Sequence, residues 1–253
     1  MKRLSISLFA VLFVAGMAYA QDNEALIEQT SDGNEATMSQ VGSSNYSNVA
    51  QFGGSSGVFH TSQVGNDNFI GGQAGDQFRQ ANNGGNYANF TQEGNENQIR
   101  GVGLQGTNNE AEITQVGNEN QVDFYQDMSD GVADIWQQGT SNYIDINQDA
   151  NSGSLADLYQ NGESNELTVH QDDEGFHSLE AIQQGNNNLA DVIQFESDNT
   201  ATLHQDGNMN TAWINQEESV GGLADVVQAG NGNMADILQV GEGNVADIYQ
   251  NGN

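Results

Sequence analysis

The chain repeats one phrase every eleven or twelve residues: Gln, Gly two residues on, Asn at five, a small residue at seven, an aliphatic at nine, and Gln again at eleven. It is plain at Gln115-Val-Gly117…Asn120…Val122-Asp-Phe124-Tyr-Gln126, and again at Gln228-Ala-Gly230…Asn233…Ala235-Asp-Ile237-Leu-Gln239. Positions five, seven, nine and eleven alternate with period two, so these side chains project to one side of a β-strand. A fixed period of this length describes a stack of equivalent strands. No proline occurs in 253 residues, as expected where nearly every segment donates backbone N–H groups to neighbouring strands.

The repeat defines units that close on Gln29, Gln40, Gln51, Gln63, Gln92, Gln115, Gln126, Gln137, Gln148, Gln160, Gln171, Gln183, Gln194, Gln205, Gln216, Gln228, Gln239 and Gln250. Residues 64–106 are less regular, with Gly71, Gly72, Gly101 and Gly103 where aliphatic residues belong. About 20 strands are expected in all, counted from the spacing. Gly117, Gly139, Gly162, Gly185, Gly207, Gly230 and Gly241 share one phase in the corners, where a positive φ is needed. A corner of four or five residues folds one strand over the next. The same turns could serve an up-and-down antiparallel sheet, but that would leave one face bare. The expectation is therefore an all-β, two-sheet β-solenoid of about ten strand–turn–strand windings, amyloid-like, with strands about 4.8 Å apart.

Inside such a solenoid the Ala and Ile/Val/Leu positions form a narrow dry core. The glutamines above and Asn120, Asn142, Asn165, Asn188, Asn210, Asn233 and Asn244 would meet their counterparts one winding away, donating and accepting along ladders. Unpaired, each buried amide would cost about 1–3 kcal/mol.

The remaining composition sets limits. Residues 1–20 read as a secretory signal: Lys2 and Arg3, an apolar run from Leu4 to Ala15, and Ala18-Tyr19-Ala20 as cleavage site. Residues 21–253 form the mature solenoid, with no later stretch fit to span a membrane. The chain has no cysteine, so export would give it no disulfide. Only 36% of residues are hydrophobic, which by itself suggests disorder, but a disordered segment has no reason to hold phase. The net charge is −31, with Arg79 and Arg100 the only basic residues outside the signal, which excludes nucleic acid and anionic lipid as partners.

The pattern Gln-x-Gly-x-x-Asn-x-Ala-x-(Ile/Val)-x-Gln, as in Gln183-Gln-Gly185-Asn-Asn-Asn188-Leu-Ala190-Asp-Val192-Ile-Gln194, resembles the curlin repeat of bacterial curli over residues 23–250. The resemblance implies a secreted subunit of extracellular functional amyloid in the biofilm matrix, exported through an outer-membrane pore and polymerised at the cell surface, with another curlin subunit as nucleator or polymer partner. Familiar major subunits have about five windings and a Gly-rich segment before the repeats; here the first unit starts almost at the cleavage site. Solenoids that stay monomeric carry polar caps. None is legible beside Asn23–Gln29 or after Asn244–Gln250, so both ends would offer open edges for head-to-tail fibre growth.

Position eight of each unit faces outward. On one set of alternate strands it reads Asp134, Asp157, Glu180, Thr202, Asp225, Asp247, and on the other Asp123, Asp145, Thr168, Asp191, Trp213, Asp236. Stacked carboxylates repel, so growth should quicken with salt or with weakly, non-specifically bound divalent cations. The Gly-Gly-x-Gly-x-Asp pattern of calcium β-rolls is absent. Position ten carries a more apolar stripe on one sheet, through Trp136, Tyr159, Ile182, His204, Val227 and Tyr249, suited to cross-strand packing or lateral contact. No cofactor is expected and no enzyme: His60, His170, His177 and His204 fall at unrelated phases, and no Gly-x-Ser-x-Gly elbow occurs. The alternative function is a non-polymerising cell-surface binding or adhesin solenoid, which would want a Thr-x-Thr array or an aromatic platform.

Overall fold

The computed structural model describes residues 22–30, 32–53, 56–72, 77–81, 84–150 and 152–252. The expected signal at 1–20 and parts of the irregular stretch 64–106 lie outside these residues. The described chain is all strand and turn, without a helix. In chain order the strands are β1 (Glu24–Gln29), β2 (Glu35–Ser43), β3 (Tyr46–Phe52), β4 (Val58–Asn66), β5 (Phe69–Gly71), β6 (Phe78–Ala81), β7 (Tyr87–Asn95) and β8 (Gln98–Thr107). They continue as β9 (Glu110–Asn118), β10 (Gln121–Ser129), β11 (Val132–Thr140), β12 (Tyr143–Ala150), β13 (Leu155–Glu163), β14 (Glu166–Asp173), β15 (Ser178–Asn186) and β16 (Leu189–Gln194). The last are β17 (Thr200–Asp206), β18 (Thr211–Gln216), β19 (Ser219–Val220), β20 (Leu223–Ala229), β21 (Met234–Leu238), β22 (Gly241–Glu242) and β23 (Val245–Asn251).

Successive long strands alternate between two parallel sheets. Sheet 1 runs β1-β3-β5-β8-β10-β12-β14-β16-β18-β21, with β6 bridging β3 and β8 at the level of β5. Sheet 2 runs β2-β4-β7-β9-β11-β13-β15-β17-β20-β23. The molecule is a β-solenoid of about nine turns, as the ten levels of each sheet make nine stacking steps. Pairing is parallel and in phase: Ala133 lies beside Ala156, Ile135 beside Leu158, Gln137 beside Gln160 and Gly139 beside Gly162. Period-two alternation sends Ala133, Ile135 and Gln137 inward, all at most 1% exposed, while Asp134 and Trp136 face out.

The core is a narrow double file of inward aliphatics, such as Ile113, Ile135, Leu158, Val192, Leu203 and Ile214. At about 1.5–3 kcal/mol for each fully buried large aliphatic, these columns supply the main driving force for stacking. Toward the N-terminal levels the file becomes aromatic. Phe59, Phe78 and Phe90 meet edge to face with centroids 5.0–5.4 Å apart, and Phe124 lies 6.2 Å from Phe78.

This is also where the regularity fails. Between Phe124 and Tyr125 the pairing of β10 with β8 shifts by one residue, so that Phe124 faces Gly101 and Tyr125 faces Gly103. A Cβ at Gly101 would stand 2.0 Å from the Phe124 carbonyl oxygen and one at Gly103 1.6 Å from that of Arg79. The glycines, read in the sequence as missing aliphatics, are here the condition for close backbone approach through the bulge.

Candidate functional site: amide ladders and open edges

Two kinds of corner join the sheets. Those leading from sheet 2 to sheet 1, here the glycine edge, all have five residues from Gln to Asn, from Gln40–Asn45 through Gln228–Asn233. Those leading from sheet 1 to sheet 2, the variable edge, take five or six, as in Gln126–Gly131 and Gln171–His177.

On the glycine edge, Gly42, Gly65, Gly94, Gly117, Gly139, Gly162, Gly185, Gly207 and Gly230 form a column with φ between +97° and +130°. A Cβ at any of them would lie 1.7–1.9 Å from the carbonyl oxygen of the next glycine. The conformation excludes most side chains and the spacing excludes all of them. Gly241 belongs to the variable edge instead. Its φ is +100°, but the nearest atom to an added Cβ is 3.8 Å away. Of the seven predicted corner glycines it alone is not held by a stacked neighbour, because among the described residues no further level lies over its corner.

The residue before each Asn is left-handed as well, and is usually not glycine: Ser44, Asp67, Glu96, Glu119, Ser141, Ser164, Asn187 and Met209 all have φ between +56° and +58°. Each corner thus carries two left-handed residues, of which only the first is marked by composition.

The Gln column of sheet 2 is unbroken. Each Nε2 donates to the Oε1 of the next member, Gln40 to Gln63, then Gln92, Gln115, Gln137, Gln160, Gln183, Gln205, Gln228 and Gln250, over nine bonds of 2.7–2.9 Å. The second Nε2 hydrogen goes to a backbone carbonyl of the facing strand, as from Gln137 to Gln121 at 3.0 Å. The sheet 1 column runs Gln29–Gln51–Gln80, then Gln126–Gln148–Gln171–Gln194–Gln216–Gln239. Between Gln80 and Gln126 the β8 bulge puts Leu104 in the glutamine place. Gln126 Oε1 is consequently buried with no donor. Gln80 turns both hydrogens to the carbonyls of Val58 and Asn86.

The asparagines of the glycine edge make a ladder of opposite polarity. Asn45, Asn68, Asn97, Asn120, Asn142, Asn165, Asn188, Asn210 and Asn233 each donate backwards to the Oδ1 of the preceding member, beginning at Asn23. Their Nδ2 groups also reach the glycine column, as Asn120 reaches Gly139 O at 3.0 Å and Asn142 reaches Gly162 O. Asn244 is not part of this ladder. It lies on the variable edge, whose corresponding column reads Asn34, Gly57, Asn86, Asn109, Gly131, Ser154, His177, Asn199, Gly222, Asn244. Its Nδ2 closes its own corner on Val240 O and Gly241 O, the first a bond that Asn142, Asn188 and Asn233 also make to the carbonyl four residues back. Its neighbour Gly222 has no side-chain amide to continue a ladder.

Where that column lacks Asn, other groups fill in. The Met128 side chain occupies the space at Gly131, and the Ser219 hydroxyl lies where a Cβ of Gly222 would stand. Near Gly57 a cavity of about 10 Å³ remains among Asn34, Gln51, Gln80 and Asn86. His177 imitates Asn, with Nε2 3.0 Å from Asp172 O, while Nδ1 is buried and unpartnered. Burial lowers its pKa, against the opposing pull of Asp172, Asp173 and Asp198.

Sequence reading missed a third amide ladder, exposed on the glycine edge: Asn66, Asn95 and Asn118 in one run, Asn186, Asn208 and Asn231 in another. The signal was the recurring Gly-Asn dipeptide. It also missed Gln80 and the earlier ladder members Asn23, Asn45, Asn68 and Asn97, the last three of which keep the same five-residue distance from Gln.

Outward, Glu112, Asp134, Asp157 and Glu180 stack in consecutive levels, as do Asp225 and Asp247. Partial burial first, then Asp157 and Glu112, raise the Asp134 pKa; burial and Asp123 raise that of Asp145; burial raises that of Asp191. Asp149 is raised by burial, Asp172 and Asp127, and burial with Asp127 pushes Tyr125 up to about 12. Arg100 relieves one such stack by pairing with Asp123 at 2.9 Å. Thr202 separates Glu180 from Asp225 in sheet 2, while Thr168 and Trp213 space the acids of sheet 1. Among the described residues no group of three or more His, Cys, Asp or Glu is placed to hold a metal ion, and no helix is long and apolar enough to cross a membrane.

Fold and ladders define the class: a parallel two-sheet β-solenoid whose levels are tied by buried amides. The curlin associated repeat matches residues 20–53, 106–149 and 185–217, so the chain carries curlin repeats; the family these define is structural rather than enzymatic, and its members are in general extracellular. No curated protein matches the chain.

Proposed function

We propose that the mature chain is a structural subunit of extracellular curli-type amyloid fibres, serving matrix cohesion and adhesion, and that it assembles head to tail. The observation that carries this reading is the pair of open ends. Among the described residues β1 pairs only with β3 and β2 only with β4, while β21 pairs only with β18 and β23 only with β20. Each end therefore offers a row of backbone donors and acceptors together with the last members of both Gln ladders. An arriving copy extends every column without new chemistry. Export rests on the signal read at residues 1–20, and the secretion pore and nucleating subunit are the partners the family implies.

The test is incubation of purified residues 21–253, followed by thioflavin fluorescence, electron microscopy and fibre diffraction. Filaments with a reflection near 4.8 Å are expected. A chain that stays monomeric at high concentration overturns the reading and favours the non-polymerising binding solenoid.

A further inference from the structure

The proposed assembly says that copies join, and the residues at the two ends bear on what each end accepts; this inference rests on that reading. Continuing the parallel register by one step lays β1 of a second copy on β21, and its β2 on β23. The inward columns then run through the joint unchanged. Ala235 meets Ala25, Ile237 meets Ile27 and Gln239 meets Gln29, while in the other sheet Ala246 meets Ala36 and Gln250 meets Gln40. Gly252 takes the place below Gly42, which continues the glycine column.

Ladder polarity matches as well. Gln239 and Gln250 each place one Nε2 hydrogen on a carbonyl, of Leu223 and Met234, and the forward-donating sense of the ladder aims the other at Gln29 and Gln40 of the next copy. Corner lengths agree too. Gln239–Asn244 and Gln29–Asn34 both span five residues, whereas Gln216–Gly222 spans six.

The outward positions are the informative ones. Within the solenoid, carboxylate stacks on carboxylate at Asp123/Asp145, Glu112/Asp134, Asp134/Asp157, Asp157/Glu180 and Asp225/Asp247. At the joint no strand position does so. Asp236 would lie on Leu26 and Asp247 on Thr37. The acids of the first level, Glu24, Glu28 and Glu35, would lie on Met234, Leu238 and Val245, which are 63%, 68% and 72% exposed in the single chain. The one acid pair is Glu242 with Asp32 at the tip of a corner, where both are exposed and screened. Like charges directly opposed weaken a sheet, and opposing a carboxylate with an aliphatic avoids that.

We propose that the two ends of this chain form a charge-matched interface whose partner is a second copy of itself: each end sets its acids against neutral residues of the other, so the joint escapes the repulsion present inside the rod. The experiment measures the soluble concentration remaining at the end of fibre assembly. Leu26→Asp with Thr37→Asp puts a carboxylate over both Asp236 and Asp247. Because Leu26 is 41% exposed and Thr37 is exposed, the monomer should fold as before, which circular dichroism checks.

In low salt the residual concentration should rise roughly fivefold, the effect of two opposed like-charge pairs. It should fall back toward wild type near ~1 M salt, where the screening length is about 3 Å. Adding Asp236→Asn and Asp247→Asn should restore it at low salt, and Leu26→Lys with Thr37→Lys in the wild-type background should lower it. Thr202→Asp, which adds a carboxylate between Glu180 and Asp225 inside the rod, should leave it unchanged. Equal residual concentrations for wild type and both end variants would overturn the charge-matched joint while leaving self-assembly standing. A wild-type chain that forms no fibre would remove both.

Discussion

The two edges of this solenoid are made by the same chain at the same rise per level, yet they obey different rules. On the glycine edge every corner has the same length, every second residue after Gln is glycine, and every Asn bonds the Asn before it. On the variable edge the corner gains a residue in half the levels, and the amide column is replaced in places by Gly57, Gly131, Ser154, His177 and Gly222. Corners of five and of six residues nevertheless pair with one another along this edge. Gly175, Ser197 and Val220 bridge in turn, and β19 pairs with β22. The comparison teaches that stacking demands uniformity where backbones touch. It tolerates variation where a corner bulges outward and side chains can substitute for one another.

The sharpest way to break this comparison is an alanine on each edge. Gly139→Ala sets a Cβ 1.9 Å from Gly162 O in a left-handed corner, and should cost more than about 3 kcal/mol in denaturant unfolding of the monomer. Gly241→Ala meets only the left-handed penalty and should cost about 1 kcal/mol. Equal losses would mean that the glycine column is not set by contact.

The ladders give the next largest contrast. Gln137→Leu strands Gln115 Nε2 and Gln160 Oε1 in the unbroken column and should cost about 2–3 kcal/mol. Leu104→Gln supplies the missing member of the other column and a donor for Gln126 Oε1, and should stabilise by about 1 kcal/mol. A destabilised Leu104→Gln variant would show that the β8 bulge, rather than the amide, is what that level requires.

Proton linkage separates faces from edges. The carboxyls of Asp134, Asp145, Asp149 and Asp191 have raised pKa values when folded, so the folded state binds more protons than the unfolded chain. Stability should therefore rise as pH falls from neutral toward the unfolded carboxylate value near ~3.9, and be lost again as pH climbs through the folded values. His177 opposes this. Its pKa is lowered in the fold, so acidification below its unfolded value of ~6.5 destabilises. His177→Asn should abolish that part and steepen the acid stabilisation seen in pH-dependent unfolding; an unchanged profile would place the linkage elsewhere.

The smallest expected effect is at Met209, which is 62% exposed and left-handed with φ at +57°. Met209→Gly should stabilise by only about 0.5 kcal/mol, because relief of the left-handed backbone is partly offset by the greater freedom of glycine in the unfolded chain. No gain in melting temperature would mean that the ladders hold the corner at no strain.

Much of this was legible in advance because the controlling signal is local. Period-two alternation from Gln115 to Gln250 fixes which side chains face inward, and the inward glutamines could be named without knowing what they would touch. The stretch 64–106 resisted the same reading. There Leu104 fills a glutamine place although Gln105 is its neighbour, and only the bulge at Gly101 and Gly103 makes that choice. Asn244 and Gly241 were misgrouped with the other edge for a related reason: the repeat has one period, but consecutive units lie on opposite edges.

The chain's own pattern determined the strands, the inward set, the two-sheet stack and the acidic faces, since each follows from alternation within a dozen residues. Tertiary structure decided which residues become neighbours along the axis. Those partners stand 22 or 23 residues apart in most levels and 29 across the irregular one, as Gln115–Gln137, Gln137–Gln160 and Gln63–Gln92 show. That separation accumulates every corner length between them, so one added or bulged residue reassigns a ladder while leaving the local repeat intact.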